Sequence, residues 1–178
     1  MAVAADVLAV AAPGEEPPES VRAEGVPPRT VRVPQPAPAS PPASSASASA
    51  PPAPNAADSR FAAEVARVVR EDLAALREGD GGTVAVIAPG GRIAELAAAI
   101  PEAVPGNSPE ALDAPVALLT VAQAKGLEFD RVVLADPGGI LSHSANGGRD
   151  LYVAITRATH RLTFVHEGDL PGMLARLA

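Results

Sequence analysis

The sequence predicts an α/β protein whose parallel sheet is covered by helices on both faces. Residues 83–88, 116–121 and 131–135 form nearly continuous apolar runs, typical of strands that are buried on both sides. Segments with helical periodicity lie between the predicted strands, and strands that alternate with helices indicate a parallel sheet. Such a sheet usually places its ligands at the carboxyl ends of its strands.

The N-terminal third predicts little regular structure. Residues 2–12 are rich in alanine and favour a short helix, which Pro13-Gly14 ends, and residues 30–33 alternate in polarity like a short strand. Residues 34–57 are almost entirely Pro, Ala and Ser. This composition cannot bury enough apolar area to offset its ordering entropy, so it predicts a disordered, flexible linker.

A long amphipathic helix opens the second part of the chain. Asp58-Ser59 is a suitable N-cap, and apolar residues then recur at three- and four-residue steps from Phe61 to Leu76. Further along we expect a helix over 150–159, a strand over 162–166 and a closing helix over 170–177, while 101–113 has the composition of a loop. The predicted organisation is therefore an edge segment (1–33), a linker (34–57) and a lobe (58–178).

Composition excludes several classes of function. The net charge of −7 is unlike the basic face of an independent nucleic-acid-binding protein, and four aromatic residues are too few for a base-stacking platform. The chain has no cysteine, and its three histidines are too widely spaced to suggest a metal site. No transmembrane run or basic signal-peptide region is apparent, so we expect a cytoplasmic protein without a membrane partner.

Two short motifs carry the functional signal. The only lysine of the chain, Lys125, lies in the run Thr120-Val-Ala-Gln-Ala-Lys-Gly-Leu-Glu-Phe-Asp130, and the run Leu151-Tyr-Val-Ala-Ile-Thr-Arg-Ala158 follows it. Together they resemble the last two motor motifs of superfamily 1 (UvrD/Rep-like) helicases. The resemblance covers residues 83–178 and implies the C-terminal RecA-like lobe of an ATP-dependent DNA helicase or translocase.

The resemblance assigns a role to each matching residue. Arg157 corresponds to the family's arginine finger, which completes the ATP site in trans; a guanidinium suits this because it stays charged and meets phosphate oxygens two at a time. Glu128 corresponds to an acceptor for the ribose hydroxyls, or else is a solvated glutamate. Gly126 corresponds to the glycine that lets the backbone approach the nucleotide, and Lys125 would contact either a phosphate or a carboxylate across the cleft.

The same resemblance places nucleic acid beside the first motif. Thr120 corresponds to a threonine near the nucleic-acid track, and Gln123 lies next to it. Ala122 occupies the position where UvrD/Rep-type helicases usually carry histidine. This difference, together with the Val-His-Glu-Gly-Asp-Leu-Pro run that ends at Pro171, resembles the HelD branch, whose members are helicase-like ATPases that act on RNA polymerase.

The glycine-rich loop that binds phosphate in such motors is missing from these 178 residues. No Gly-x-x-x-x-Gly-Lys-Ser/Thr loop occurs, because neither glycine cluster, Gly79–Gly82 or Pro89–Gly91, is followed by Gly-Lys-Ser/Thr. Asp136 resembles a Walker B acid only superficially, and we expect it to cap its loop. Mg²⁺ and most of the ATP would then be held by a separate N-terminal ATPase lobe, and the isolated chain would not hydrolyse ATP. A non-catalytic binding module or a gene remnant is the alternative.

Overall fold

A computed structural model describes residues 2–11, 26–34, 56–79 and 81–177. Within them lie five α-helices and six β-strands, with short 3-10 helices at Gly90–Arg92, Pro109–Leu112 and Gly172–Leu177. The helices are α1 (Ala2–Ala11), α2 (Ala56–Arg77), α3 (Ile93–Ala99), α4 (Pro137–His143) and α5 (Gly147–Ile155). The strands are β1 (Arg29–Val33), β2 (Val84–Ile87), β3 (Ala103–Pro105), β4 (Val116–Leu119), β5 (Phe129–Ala135) and β6 (Ala158–Glu167).

The six strands form one parallel sheet in the order β1-β6-β5-β2-β4-β3. The central strands β2 and β4 are buried at every position, which explains why their sequences are apolar without alternation. The predicted α/β class with a parallel sheet and helices on both faces is therefore confirmed. Of the predicted linker 34–57, only Pro34, Ala56 and Ala57 are described; the rest lies outside the described residues.

Two apolar layers cover the sheet. One face packs against α1, α5 and the last 3-10 helix through Val7, Leu151 and Leu174. The other face packs against α2 and α3, where Phe61 and Leu96 are completely buried. The first helix of the chain thus belongs to the core of the lobe. Among the described residues, no helix is both long and apolar enough to cross a membrane.

Several predicted elements needed correction. The expected loop 101–113 contains the edge strand β3 and the 3-10 helix Pro109–Leu112. The expected helix 150–159 ends at Ile155, because residues 158 and 159 already pair in β6, and α4 was not predicted. The closing segment is a 3-10 helix, Gly172–Leu177. These differences arise in short elements whose conformation depends on neighbouring strands and helices more than on local periodicity.

Candidate functional site

The first motif begins at the carboxyl end of β4 with a turn that is held by hydrogen bonds between its own residues. The side-chain oxygen of Gln123 accepts hydrogen bonds from the Thr120 backbone N–H (2.9 Å) and from its hydroxyl (3.0 Å). The backbone N–H of Ala124 also donates to the Thr120 carbonyl at 3.1 Å. Gln123 therefore fixes the conformation of Thr120. The side-chain oxygen of Gln123 is already engaged by these hydrogen bonds within the protein.

The chain then crosses from the carboxyl ends of the strands to their amino ends. Leu119 aligns with Leu134 across β2, and Phe129 precedes Leu134 by five residues, so the two ends of the motif lie about 16 Å apart along the strands. Gly126 and Glu128 consequently lie at the amino end of β5. The expectation of a carboxyl-edge site holds for Thr120 and is wrong for these two residues.

Gly126 has a backbone conformation that most residues avoid. Its φ is +79°, in the left-handed region, and a Cβ built on it would meet no atom within 4 Å. Backbone conformation, and not lack of space, therefore accounts for glycine at this position. The left-handed turn at Gly126 lies between the exposed residue Lys125 and the start of β5 at Phe129.

Lys125 and Glu128 flank this turn, and both are exposed. Within the described part of the chain, neither side chain has a hydrogen-bond or ion-pair partner. The two charges are therefore available to a ligand or to a second protein surface. Their exposure at the amino edge fits groups that complete a site built by another domain.

Arg157 makes the most extensive contacts of the predicted site residues. Its Nε donates to the Val153 carbonyl (3.0 Å), one terminal nitrogen donates to the Leu127 carbonyl (2.9 Å), and the other donates to the Thr156 hydroxyl (3.1 Å). A guanidinium has five N–H groups, so one N–H on each terminal nitrogen is left for a further acceptor. Arg157 follows the end of α5 and directly precedes β6, so it lies at the amino end of that strand. The expected helix 150–159 would have included it, and the expected carboxyl-end position of the second motif is wrong for this residue.

The structure brings the two motifs into contact. Besides the Arg157–Leu127 hydrogen bond, the backbone N–H of Phe129 donates to the Arg157 carbonyl at 2.9 Å. The Thr159 hydroxyl also donates to the Phe129 carbonyl at 3.2 Å. We call Leu127, Phe129, Arg157 and Thr159 the motif junction. It places Arg157 beside the loop that carries Lys125, Gly126 and Glu128.

A polar group adjoins the motif junction. Asp130 accepts from the backbone N–H of Thr83 (2.8 Å) and from its hydroxyl (3.2 Å), and lies 3.2 Å from Nδ1 of His160. The Thr83 backbone hydrogen bond is the main reason that the pKa of Asp130 lies below its ordinary value. Asp130 therefore stays ionised and anchors the start of β5 to the residue that precedes β2.

A second charged cluster lies at the carboxyl edge, and sequence reasoning missed it. The Arg92 guanidinium lies 2.8 Å from Glu167, 3.2 Å from Glu95 and 3.6 Å from Asp136, and it covers the ring of Phe61 at 4.5 Å. We call this group the Arg92 cluster. Glu95 is three residues from Arg92, but Asp136 and Glu167 lie far along the chain, so the Gly-Gly-Arg run after β2 was the only local signal.

Asp136 has the expected capping role. It is the N-cap of α4, and its carboxylate accepts from the Gly139 backbone N–H at 2.8 Å. Its φ of 57° is unusual for a residue other than glycine. Within the described residues, no group of three or more His, Asp or Glu side chains could hold a metal ion.

Comparisons with known proteins agree with the motifs. Residues 115–165 match the family described as UvrD-like helicase C-terminal domain. The solved C-terminal domain of a possible DNA helicase from Lactobacillus plantarum shares the fold, with a TM-score of 0.53 and 23% sequence identity, over 87% of this chain and 83% of that domain. No curated protein matches the chain. The segment that contains both motifs therefore has the character of a UvrD-like helicase C-terminal domain.

Proposed function

We propose that this chain is the C-terminal motor lobe of an ATP-dependent superfamily 1 DNA helicase or translocase, and that it completes an ATP site shared with an N-terminal lobe. The hydrogen bond between Arg157 and the Leu127 carbonyl carries the proposal, since it joins the two motifs at one edge of the sheet. The family match over residues 115–165 supports the same assignment.

The residues at this edge fit a nucleotide that is held mainly by another lobe. Arg157 supplies a fixed positive charge with two N–H groups left for phosphate oxygens, and Glu128 supplies an exposed carboxylate that suits ribose hydroxyls. Gly126 exposes backbone close to both. Bound ATP with Mg²⁺ supplies the phosphoryl group that is transferred to water, and this chain stabilises the charge on that group.

The arrangement of Arg157 has a mechanistic consequence. Hydrogen bonds to the Val153 and Leu127 carbonyls and to Thr156 hold the guanidinium in one orientation before any nucleotide arrives. A charge that is positioned in advance reorganises little during the reaction, which is the condition under which electrostatic stabilisation is most effective. The contribution of Arg157 is therefore expected in the rate of hydrolysis more than in nucleotide affinity.

The test combines this chain with a lobe that carries a Walker A loop. Arg157→Ala should lower the DNA-stimulated kcat by about 10³-fold or more, with a much smaller change in KM for ATP. Arg149→Ala, on the exposed side of α5, is the matched control and should stay close to wild type. The isolated chain should not hydrolyse ATP above background. DNA-stimulated hydrolysis by the isolated chain, lost in Arg157→Ala, would refute the shared site.

One observation favours a HelD-like ATPase that remodels RNA polymerase as a second candidate. Ala122 is exposed and cannot supply the contact that a histidine would make, and the side-chain oxygen of the neighbouring Gln123 already accepts a hydrogen bond from Thr120. Purified RNA polymerase distinguishes the two functions: stable binding of this chain would favour the HelD-like role, and binding to DNA alone would favour the helicase. A folded chain that binds neither would favour the non-catalytic module or remnant.

A further inference from the structure

The pairing between β5 and β6 changes register directly beside the motif junction. Phe129 of β5 pairs with Ala158 of β6. Two residues further along β5, Arg131 pairs with Arg161, which lies three residues further along β6. β6 thus carries one extra residue at this point, and the irregularity is a β-bulge. Bulges occur often next to active sites, where they redirect a side chain.

The bulge determines where Arg157 meets the first motif. From Arg161 onwards the two strands pair regularly, and regular pairing extended back toward the motifs would place Thr159 opposite Phe129. Arg157 would then be displaced by one residue along the strand, about 3.3 Å, from its present neighbours. Its hydrogen bond to the Leu127 carbonyl is 2.9 Å long, so a displacement of this size would break it.

Thr159 holds the bulge from the β6 side. Its hydroxyl donates to the Phe129 carbonyl at 3.2 Å. The backbone N–H of Phe129 in turn donates to the Arg157 carbonyl at 2.9 Å. Phe129 is therefore bound to the residues on either side of Ala158, and the Thr159 hydroxyl helps to fix the backbone from which the Arg157 side chain extends.

His160 and Asp130 provide further contacts within the bulge. Nδ1 of His160 lies 3.1 Å from the Thr159 hydroxyl oxygen and 3.2 Å from the Asp130 carboxylate. Gly82 leaves room for that carboxylate, because a Cβ on it would lie 2.7 Å from the nearer carboxylate oxygen. The polar side chains of the bulge thus have partners within the lobe, and the bulge is a built feature of the fold.

An ion pair fixes the register on the other face of the sheet. Arg131 and Arg161 are directly paired, and like charges in this arrangement repel each other. The Asp72 carboxylate of α2 lies 2.8 Å from Arg131 and 3.8 Å from Arg161, and its side chain is only 5% exposed. One buried carboxylate therefore holds both strands at the first regular pair after the bulge, which opposes movement of the bulge along the strands.

We propose that this bulge positions Arg157 for catalysis, and that Thr159 is a positioning residue that acts through Phe129. The proposal rests on the proposed function, since it concerns the arginine that completes the ATP site. Catalytic groups must be held within about 0.5 Å of their productive position. Loss of the Thr159 hydroxyl should therefore slow hydrolysis and leave the affinity for ATP nearly unchanged.

Nuclear magnetic resonance of the chain with isotope-labelled arginine tests how firmly Arg157 is held. Its terminal nitrogens donate to the Leu127 carbonyl and the Thr156 hydroxyl, so their N–H signals should be separate in the wild type, and Arg157→Lys assigns them. Thr159→Val keeps the shape and removes the hydroxyl; it should merge these signals, because the guanidinium then rotates freely. Thr159→Ser should keep them separate. Ser142→Ala, which removes a hydroxyl hydrogen bond within α4, is the matched control and should leave them unchanged.

Hydrolysis by this chain combined with a lobe that carries a Walker A loop gives the catalytic readout. Thr159→Val should lower the DNA-stimulated kcat about tenfold, with less than about a twofold change in KM for ATP, because a shift of a fraction of an ångström misplaces the charge. Thr159→Ser should restore kcat. His160→Ala changes a side chain that is 72% exposed, so it does not endanger folding, and it should loosen the Arg157 signals and lower kcat by a smaller factor.

The outcomes separate the positioning role from the proposed function. Separate Arg157 signals in both Thr159→Val and His160→Ala would overturn the positioning role and leave the shared ATP site intact. An unchanged kcat in Thr159→Val, when Arg157→Ala lowers kcat, would overturn it as well. An unchanged kcat in Arg157→Ala would refute the shared ATP site and, with it, any catalytic role of the bulge.

Discussion

The Arg92 cluster makes a quantitative prediction about stability. Arg92→Met removes the hydrogen bond to Glu167, whose side chain is 16% exposed, and the weaker pairs with Glu95 and Asp136. A hydrogen bond to a charged group contributes about 1.5–3 kcal/mol, and stacking over Phe61 adds about 0.5–1 kcal/mol. The carboxylates that remain are partly exposed and can be hydrated, which limits the loss. The free energy of unfolding should fall by about 2–4 kcal/mol.

Urea denaturation followed by circular dichroism measures this change. Arg67→Met is the matched control, because Arg67 also pairs with two carboxylates but its side chain is 42% exposed. Exposed helix pairs contribute little, so this variant should lose less than about 1 kcal/mol. Arg92→Lys keeps the charge, loses the planar fork and should be intermediate. Equal losses for Arg92→Met and Arg67→Met would refute the importance of burial and convergence in the Arg92 cluster.

Three further changes test single groups. Burial holds the pKa of His166 below its ordinary value, so the free energy of unfolding should decline as pH falls below about 6.5. His166→Gln should make the urea midpoint less dependent on pH between about pH 7 and 5. The exposed control His143→Gln should leave that dependence unchanged. Asp130→Asn weakens the hydrogen bonds from Thr83 and should cost about 1 kcal/mol at pH 7. Because the pKa of Asp130 is lowered, its difference from wild type should shrink below about pH 4, and a constant difference would contradict an ionised anchor. Gly126→Val should cost about 1–2 kcal/mol and Gly126→Asn less, because the penalty comes from the backbone; equal thermal shifts would show that it does not.

The central strands of the sheet could be predicted because buried strands are composed almost entirely of apolar residues. β2, β4 and β5 are covered on both faces, so apolar runs mark them without ambiguity. The edge strand β3 has only three residues, one of them proline, and pairs with a single neighbour. Its conformation depends on that neighbour, so its own sequence looked like a loop.

The sequence by itself indicated which residues make up the candidate site. The two motifs singled out Lys125, Gly126, Glu128 and Arg157, because both runs resemble motor motifs of superfamily 1 helicases. Sequence also indicated a separate role for Thr120. It could not say which edge of the sheet each residue occupies, since that depends on the path of the chain between β4 and β5.

The tertiary structure alone decided what these side chains contact. Leu127 and Arg157 are 30 residues apart and meet only because β5 and β6 are neighbours in the sheet. Arg92 and Glu167 are 75 residues apart. They meet because β2, which precedes Arg92, and β6, which ends at Glu167, finish at the same edge of the sheet. Hydrogen bonds and ion pairs act over a few ångströms, so strand order, which a single sequence does not encode locally, determines which groups interact.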